Sequence, residues 1–469
     1  MKKLTFQWKT VLKGICALLS AAVCIQLQAQ QNAEAWNYQT FQESAVAQVP
    51  IEGSQTPDGN VCEAEVPDGL FLHRLNNSPG ATCGSAFLGP GAFFIDGHIS
   101  QGLSYSNADS EYRSPMGTCD RDGYQMNQLY LSLGRKVEKG DQLAVGGRID
   151  FMFGTDYYYM ASAGFENTPA NQPHWNDWGD DVLYRARRDQ YGFAMPQIYG
   201  EVYAPIFGGL DLKIGHFHSV MGYESLESTE NFFYSHSYAR IYGMPTSMTG
   251  VMATSNINCN WELIYGAVNE WNAFDTENDN FSGVLGLKYK SRTGFFTFGV
   301  TTMFGEQSAP CYQFETYGES EMTFVLNTYA KFKFTPRLTY AIEFTAGYDE
   351  REYFCMETFD TNTGRAWFGL TNYVYYQLFD NLALGTRIEW FCDSDNTIID
   401  GGYGFSTIDD SANYFAVTFG ANWTPLPWMT VRPEIRYDFS DFEYADMKTY
   451  DAWSADDQLT VGADLIIRF

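Results

Sequence analysis

The sequence lacks the long apolar runs, the basic excess and the motifs that mark several large classes of protein. Beyond its first residues it has no continuous apolar run of about 18 residues, the length that would suggest a transmembrane helix. It has 29 Lys and Arg against 57 Asp and Glu, a formal charge of -28, which argues against a nucleic-acid partner. It contains no P-loop, GxGxxG, HExxH or nucleophile-elbow motif. No cofactor is predicted.

The cysteines form no CxxC pair, so a zinc or thioredoxin-like site has no support. Seven of the nine follow the first 29 residues: Cys62, Cys83, Cys119, Cys259, Cys311, Cys355 and Cys392. An odd number leaves at least one thiol unpaired. Cys62 with Cys83 is the disulfide to test first, and free packing residues are the alternative.

The first 29 residues have the pattern of a secretory signal peptide. Four lysines precede an apolar stretch from Ile15 to Ile25, and Leu27-Gln28-Ala29 offers a small-residue cleavage site. We therefore predict a signal peptide over 1–29 and export of the mature chain. Loss of the four lysines makes the mature chain more acidic still.

From residue 93 onward, apolar and polar residues alternate in segments typical of β-strands. The aromatic content of 17% and the 43 glycines also suit a β protein. Sixteen strands are predicted, at approximately 93–106, 125–137, 143–155, 194–204, 210–219, 246–255, 259–268, 281–289, 294–304, 322–334, 338–348, 366–378, 382–391, 414–423, 429–437 and 458–469.

The connections between these strands alternate between short and long. Every even strand is followed by a short turn such as EKGD or KSRTG, and every odd strand by a long, acidic loop such as 220–245. This predicts an all-β fold, a transmembrane antiparallel up-and-down β-barrel of about 16 strands with short periplasmic turns and long extracellular loops. An even number of strands lets the last pair with the first and removes the sheet edges.

The final stretch, LTVGADLIIRF, is apolar on alternate residues and ends on Phe469. Outer-membrane barrels commonly finish in this way, and Phe469 resembles the signal that the barrel-assembly machinery reads. The predicted organisation is a signal peptide over 1–29, a periplasmic N-terminal extension or plug element over 30–92, and a transmembrane barrel over 93–469.

The polar residues that alternate with the apolar ones along the strands are predicted to face the inside of the barrel. They comprise nine basic and nine acidic side chains, which would need water inside a barrel wide enough to hold it. The predicted pore-lining residues are Arg148, Asp150, Asp211, Lys213, Lys331, Lys333, Glu343, Arg387, Glu389, Arg432, Glu434 and Arg436. Because these wall charges nearly cancel, the acidity lies in the loops and should enrich cations at the mouth.

The long loop 156–193 is a candidate constriction loop. Its candidate residues are Arg185, Arg187, Arg188, Asp180 and Asp181, which would set a field across the lumen, and ordinary surface ion pairs are the alternative.

Two further groups of residues could suggest a metal site. Asp393, Asp395 and Asp400 could bind a divalent ion, although acidic loops are more often simply solvated. His216 and His218 form an HxH whose parity places both outside, where packing against loops is the favoured interpretation. No metal site is predicted.

The Ser235-His236-Ser237 stretch does not predict catalysis. Adjacent residues do not build a nucleophile–base pair, and no third partner is placed. We therefore predict that the chain is not an enzyme.

Three stretches resemble a known family: MNQLYLSL with GGRIDFMFGTDYYY, AMPQIYGEVYAPIFGGLDLKIGHFHSVMGYE, and NFFYSHSYARIYGMPTSMTGV. They look like the β-barrel porin family described as OmpL-like, and the resemblance covers about 90 to 440. It implies an outer-membrane barrel porin and assigns a role to no individual residue.

Together these patterns predict a channel for passive diffusion of ions and small hydrophilic solutes, weakly cation-preferring, in the bacterial outer membrane. The expected partners are outer-membrane lipid, the barrel-assembly machinery and the solutes. A homo-oligomer is suggested by analogy, since trimers are common among sixteen-stranded porins. The alternatives are a plugged receptor or adhesin barrel that binds through acidic, aromatic loops, and a secreted soluble lectin, against which the Leu and Phe stripes argue.

Overall fold

A computed structural model describes the regular part of the chain. The described residues are 91–107, 123–166, 191–275, 280–307, 321–350, 364–394, 398–399, 411–444, 447–450 and 454–469. The predicted signal peptide and nearly all of the predicted extension over 30–92 lie outside them, and the first strand begins at Gly91.

The described part of the chain is built almost entirely of β-strands. They are β1 (Gly91–Ser106), β2 (Gly123–Val137), β3 (Ala144–Gly154), β4 (Gly192–Ala194), β5 (Ile198–Ala204), β6 (Leu210–His218), β7 (Ser247–Asn256), β8 (Trp261–Val268), β9 (Ser282–Lys290), β10 (Phe296–Gln307), β11 (Glu321–Lys333), β12 (Leu338–Asp349), β13 (Arg365–Phe379), β14 (Leu382–Asp393), β15 (Ala412–Leu426), β16 (Met429–Ser440), β17 (Glu443–Tyr444), β18 (Met447–Lys448) and β19 (Asp457–Arg468). Three short helical turns are also present, at Tyr157–Met160, Ser228–Glu230 and Tyr238–Tyr242.

The strands close into one antiparallel barrel. β1 pairs with both β2 and β19, so the sheet has no free edge there. β4 and β5 both pair with β3 and occupy a single position in the barrel, interrupted around Pro196, which has no N–H to give to a ladder. Counted in this way the barrel has sixteen strands, while β17 and β18 form a separate hairpin. The predicted fold class is confirmed.

The two faces of each strand differ as the alternation predicts. Large apolar side chains such as Leu103, Ile214 and Ile388 are exposed on the outside of the barrel, whereas Asp150 and Arg387 are buried on the inside. An apolar outer band and a polar lumen are the pattern of an outer-membrane barrel. In the described ranges, no helix is long and apolar enough to cross a membrane.

The connection between β6 and β7, residues 219–246, folds into the barrel, and we call it the inward segment. Most of its side chains are buried, among them Met221, Phe233 and Tyr238. Its short helix begins after Ser237, whose hydroxyl accepts a hydrogen bond from the Arg240 N–H at 3.1 Å. Apolar residues of the segment pack with Met, Ile and Val side chains of β7 to β11 and with aromatic residues of β13 to β15 in one cluster.

Phe469 continues the pairing of β19 against β1. Its N–H donates to the Gly97 carbonyl at 2.9 Å, and the Gly97 N–H donates to the Phe469 carbonyl at 3.2 Å. The Phe469 ring lies over Gly97, where a Cβ would come within 2.6 Å of a ring carbon. Glycine at position 97 therefore makes room for the ring.

Candidate channel lining

Arg432 of β16 binds three backbone carbonyls of the inward segment. Its Nη1 donates to the carbonyl oxygens of Ser228, Asn231 and Phe233 at 2.9, 2.9 and 2.8 Å. Its Nε and Nη2 form a two-bond pair with the Asp464 carboxylate of β19 at 2.9 and 2.6 Å. The planar fork of the guanidinium suits this double task, because it offers several fixed donors at once.

Arg387 of β14, two strands away from Arg432 in the barrel, makes a similar set of bonds. Its Nη1 donates to the Ser235 carbonyl at 2.7 Å, and its Nη2 donates to the Ser235 hydroxyl at 2.6 Å and the His236 carbonyl at 3.0 Å. Two carboxylates neutralise it: Glu224 of the segment at 2.8 Å and Glu389 of the same strand at 2.7 Å.

Glu389 connects a second arginine to the same network. The Arg436 guanidinium lies 2.8 Å from Glu389 and donates to the His236 carbonyl at 3.0 Å. Glu389 in turn accepts the backbone N–H of Tyr238 at 2.8 Å, at the start of the short helix. The Tyr238 hydroxyl donates to Asp438 at 2.9 Å. Tyr238 is therefore bonded to the wall through both its backbone N–H and its side chain.

Wall carboxylates bind the N–H groups of the segment in the same way. Glu434 accepts the backbone N–H groups of Tyr234 and Ser235 at 2.9 and 3.1 Å. Glu343 of β12 accepts the Tyr223 N–H at 2.8 Å. The wall thus supplies both donors and acceptors to an irregular backbone, which otherwise would have no sheet partner inside the barrel.

These contacts differ from the expectation that water would solvate the inward charges. Seven of the twelve predicted pore-lining residues bond directly to the inward segment: Arg148, Glu343, Arg387, Glu389, Arg432, Glu434 and Arg436. The side chains of Arg387 and Arg436 are 0% exposed. A buried charge is tolerated when it is paired and hydrogen-bonded, and the segment and neighbouring wall residues provide those partners.

The other five predicted lining residues lie on the wall without a direct bond to the segment. Asp150 pairs with Arg148 at 2.7 Å, and Asp211 pairs with Lys139 at 2.7 Å. The Lys213 ammonium lies 4.8 Å from the centre of the Tyr199 ring. Lys331 is half-buried, and Lys333 is exposed at the end of β11.

Three groups with metal-ligating atoms meet beside Arg148. Ligand atoms of Asp150, His218 and Glu227 all lie within 4.8 Å of one another. The Arg148 guanidinium already bonds both carboxylates, at 2.7 Å to Asp150 and 2.9 Å to Glu227. Because a guanidinium supplies the positive charge that a metal would bring, the arrangement is better described as an ion-pair cluster.

The prediction that His216 and His218 both lie outside is wrong for His218. His216 does lie on the outward parity, and it is buried beneath Phe165 and Phe274 at ring distances of 6.4 and 5.6 Å. His218 is the last residue of β6, and its Nε2 lies 3.3 Å from the Tyr130 hydroxyl on the inner face. The chain turns inward at this point to begin the inward segment, which takes His218 off the outer face.

Several predicted residues fall outside the described ranges. They include the candidate constriction residues Arg185, Arg187, Arg188, Asp180 and Asp181, the proposed Cys62–Cys83 pair, and Asp395 and Asp400. Cys259 and Cys392 are described; Cys259 is exposed and Cys392 is half-buried. Asp393 accepts the backbone N–H groups of Ile398 and Ile399 at 2.7 and 3.0 Å.

The inward segment is the feature that the sequence analysis missed. The alternation of short and long connections predicts an acidic surface loop here, yet the 28 residues contain six aromatic residues and only four charged ones. That ratio is the available signal, because a loop destined for solvent has little reason to carry NFFYSHSYARIY.

His236 lies within this network as a neutral group. It is almost fully buried, and its Nδ1 lies 3.9 Å from Glu224. Burial, together with the positive charges of Arg240, Arg387, Arg432 and Arg436, lowers the pKa of His236 to about 3. The imidazole is therefore uncharged at neutral pH, in a place already crowded with guanidinium groups.

The profile of the family described as "Putative beta-barrel porin-2, OmpL-like" matches residues 93–469. No curated protein matches the sequence.

Three solved structures have a similar fold. The outer membrane channel DcaP of Acinetobacter baumannii has a TM-score of 0.51 and 11% identity, covering 83% of this chain and 100% of its own. An anion-selective porin from Comamonas acidovorans has a TM-score of 0.51 and 10% identity, covering 81% and 100%. A loop L8 deletion mutant of OmpT, an outer membrane protein of Vibrio cholerae, has a TM-score of 0.50 and 10% identity, covering 81% and 99%. At these identities the likeness concerns the fold.

Proposed function

The chain belongs to this β-barrel porin family of the bacterial outer membrane, and we propose that it forms a water-filled channel for passive diffusion of ions and small hydrophilic solutes. One observation supports this most: a closed sixteen-strand barrel whose inner face carries charged side chains from β2 round to β19. A barrel of this size is wide enough for an aqueous path.

The inward segment is the proposed constriction of this channel. Arg387, Arg432 and Arg436 hold its backbone against the wall, so the solute path runs beside it. The seven lining residues that bond the segment would act by fixing its position. Of the remaining five, Lys213, Lys331 and Lys333 would face the path directly. Asp150 and Asp211 are buried on the same wall, where they pair with Arg148 and Lys139. Arg185, Arg187, Arg188, Asp180 and Asp181 stay candidate residues of a second inward loop.

We expect the channel to prefer cations weakly. The whole chain carries 57 acidic against 29 basic side chains, and the predicted wall charges nearly balance. The excess acidity therefore lies at the mouth and in the loops, where it concentrates cations within about 10 Å at 0.1 M salt. This preference should shrink as salt is raised.

Single-channel recording of refolded protein in a planar bilayer tests both statements. Steady conductance steps with a small cation-selective reversal potential in a KCl gradient, reduced in concentrated salt, are the expected result. A protein that retains β structure and heat-modifiable migration but gives no conductance would overturn the open channel. A zero or anion-selective reversal potential would overturn the cation preference alone.

The same proposal extends to the partners and the termini. The outer face would contact outer-membrane lipid, Phe469 would be read by the barrel-assembly machinery, and the barrel would assemble as a homo-oligomer without catalytic activity. Residues 1–29 would direct export, and residues 30–92 would form a periplasmic extension or plug element. Neither the family nor the fold favours the receptor or adhesin alternative.

A further inference from the structure

The short-turn ends of β9, β10 and β11 carry basic side chains and no acidic ones. Residues 281–305 and 322–342 contain no Asp or Glu. With the turns beside them, these strand ends hold six basic residues: Lys288, Lys290, Arg292, Lys331, Lys333 and Arg337. Because the short turns of an outer-membrane barrel face the periplasm, this basic surface belongs to the periplasmic end of the barrel.

Strand alternation places Lys290, Lys331 and Lys333 on the inner face of the barrel. Val284 of β9 and Val325 of β11 are buried in the apolar cluster of the interior. Each of the three lysines lies an even number of residues from the valine of its own strand, so it shares the inward face. Lys290 and Lys333 are exposed and Lys331 is half-buried. Their ammonium groups are therefore open to the water of the lumen.

The register of the three strands brings these lysines round one threonine. Thr297 of β10 lies opposite Lys290 of β9 on one side and Lys331 of β11 on the other. The two lysine backbones are thus two strand spacings apart, about 10 Å, with a small hydroxyl residue between them. Lys333 follows Lys331 on the same face of β11. We call Lys290, Thr297, Lys331 and Lys333 the lysine site.

Within the described ranges, no carboxylate forms an ion pair with the three lysines of this site. The charged groups close enough to act on Lys331 are Lys333 and Lys290, which have the same sign. Lys288 differs, because it lies opposite Glu262 in register and interacts with that carboxylate. Lys288 is therefore left out of the lysine site. The site holds three like charges that repel one another.

Tyr329 separates the lysine site from the inward segment. Its ring lies over Gly299, where a Cβ would come within 2.5 Å of a ring carbon, and its ring centre is 5.9 Å from that of Tyr223 in the segment. Lys331 is the next inward-facing residue of β11 toward the periplasm. A solute moving toward the periplasm would therefore meet the site directly after the proposed constriction.

The lysine site is opposite in sign to the acidic mouth and lies far from it. β11 has 13 residues, which span about 40 Å along the strand. In 0.1 M salt, exposed charges are largely screened beyond about 10 Å. Enrichment of cations at the mouth and attraction of anions at the lysine site are therefore separate effects at the two ends of the lumen.

We propose that the lysine site binds the anionic head of a small organic solute, a carboxylate or a phosphate group. Ammonium groups on flexible stems can converge on one oxyanion, and the Thr297 hydroxyl offers a further donor between them. A bound anion would also relieve the repulsion among the three lysines. The proposal rests on the channel function above, and it adds a solute class and a place of binding to that function.

Isothermal titration calorimetry of the mature protein in zwitterionic detergent at low salt tests the site. The probes are inorganic phosphate and citrate, which separate a phosphate from a carboxylate preference. Saturable binding to the wild type is expected. Lys290→Gln/Lys331→Gln should lower the affinity about tenfold or more, because two hydrogen bonds from charged donors are lost. Thr297→Val, which changes no charge, should lower it about fivefold.

The matched control is Lys139→Gln/Lys448→Gln, which removes the same number of charges. Its two lysines pair with Asp211 and Asp456, outside the lysine site. This variant should bind both probes as the wild type does. Heat-modifiable migration establishes that each variant is folded.

Two results would overturn the lysine site: no saturable binding of either probe to the wild type, or equal affinity in Lys290→Gln/Lys331→Gln and the control. Because the calorimetry does not depend on conduction, its outcome is separable from that of the channel. A barrel that binds phosphate or citrate but passes no current would refute the proposed function alone. A conducting barrel without binding would refute the lysine site alone.

Discussion

Arg387 of β14 and Ser235 of the inward segment are joined twice, although 152 positions separate them in the chain. One guanidinium nitrogen donates to the Ser235 carbonyl at 2.7 Å and another to its hydroxyl at 2.6 Å. The wall arginine thus takes the place that water would have around a loop backbone. Two carboxylates, Glu224 and Glu389, balance its charge. This pair is the simplest point at which to disturb the proposed constriction.

Replacing Arg387 should loosen the inward segment and enlarge the channel. Arg387→Ala removes three bonds to the segment backbone and hydroxyl, leaves the buried Glu224 carboxylate without its arginine, and leaves Glu389 paired only with Arg436. Loss of one member of a buried pair costs about 3–5 kcal/mol. Single-channel conductance and open-channel noise should both rise, and the temperature of heat-modified migration should fall.

Arg365→Ala is the matched control for this change. Arg365 is also an inner-wall arginine, and it pairs with Asp349 at 2.7 Å. It should lower stability without changing the conductance. Equal conductance in Arg387→Ala and the wild type would show that residues 219–246 do not limit the solute path.

Acidic pH should weaken the docking of the inward segment. The pKa of His236 in the folded protein is about 3, below its ordinary value of 6.5, so its neutral form is the one that the fold accommodates. That contribution to stability is complete above about pH 6.5 and is lost as the pH falls toward 3. Conductance noise should therefore increase between pH 6 and pH 4.

His236→Gln separates the effect of protonating His236 from the effect of the many carboxylates that also titrate in acid. The variant should show a smaller increase in noise than the wild type over the same pH range, because it has no imidazole to protonate beside Arg387 and Arg436. If the two proteins respond to acid identically, His236 has no part in the effect.

A disulfide should lock the inward segment to β13. A Cβ built on Gly369 lies 3.3 Å from the Ala239 Cβ, close to the separation of about 3.5–4.5 Å in disulfides. Ala239→Cys with Gly369→Cys should therefore cross-link on mild oxidation, in a background where the seven cysteines that follow residue 29 are replaced by Ser.

The cross-link distinguishes a fixed constriction from a moving one. A static segment predicts the same conductance before and after oxidation. A conductance that falls on oxidation and returns with reductant would mean that conduction requires the segment to leave the wall, contrary to the proposal. Each single cysteine variant, oxidised in parallel, controls for the chemistry.

Substitution of Phe469 tests the proposal that this residue is an assembly signal. Phe469→Ala removes the ring that packs over Gly97, so the amount of barrel reaching the outer membrane of cells should fall several-fold. Phe379→Ala, an exposed aromatic beside a short turn, should have little effect. Refolding into detergent should succeed for both, and equal cellular levels for the two variants would dismiss Phe469 as a signal.

The barrel was predictable because its determinants are local. All sixteen predicted strands correspond to positions in the barrel, since period-two alternation and short turns repeat along the chain. The Met195-Pro196-Gln197 interruption between β4 and β5 was missed, because the interval 194–204 still alternates. A proline inside a predicted strand was the signal for that break.

The inward segment was not predictable in the same way. Parity placed Arg387, Arg432 and Glu434 on the inner face but could not say what they would meet there. Their partners lie in a loop 152 to 204 positions away, and such long-range contacts leave no periodic trace in a sequence. The prediction that His218 lies outside was wrong for a related reason, since the orientation of His218 is set by the loop that follows it rather than by β6.

The large sequence separation between the residues in these contacts also sets an order of events in folding. The bonds of residues 228–238 to β14 and β16 span from 151 to 204 positions. Contacts of that range form only after the intervening strands are in place, because closing so long a loop is entropically costly. The inward segment therefore docks late, and until β16 has joined the sheet its backbone and the three arginines must each remain hydrated.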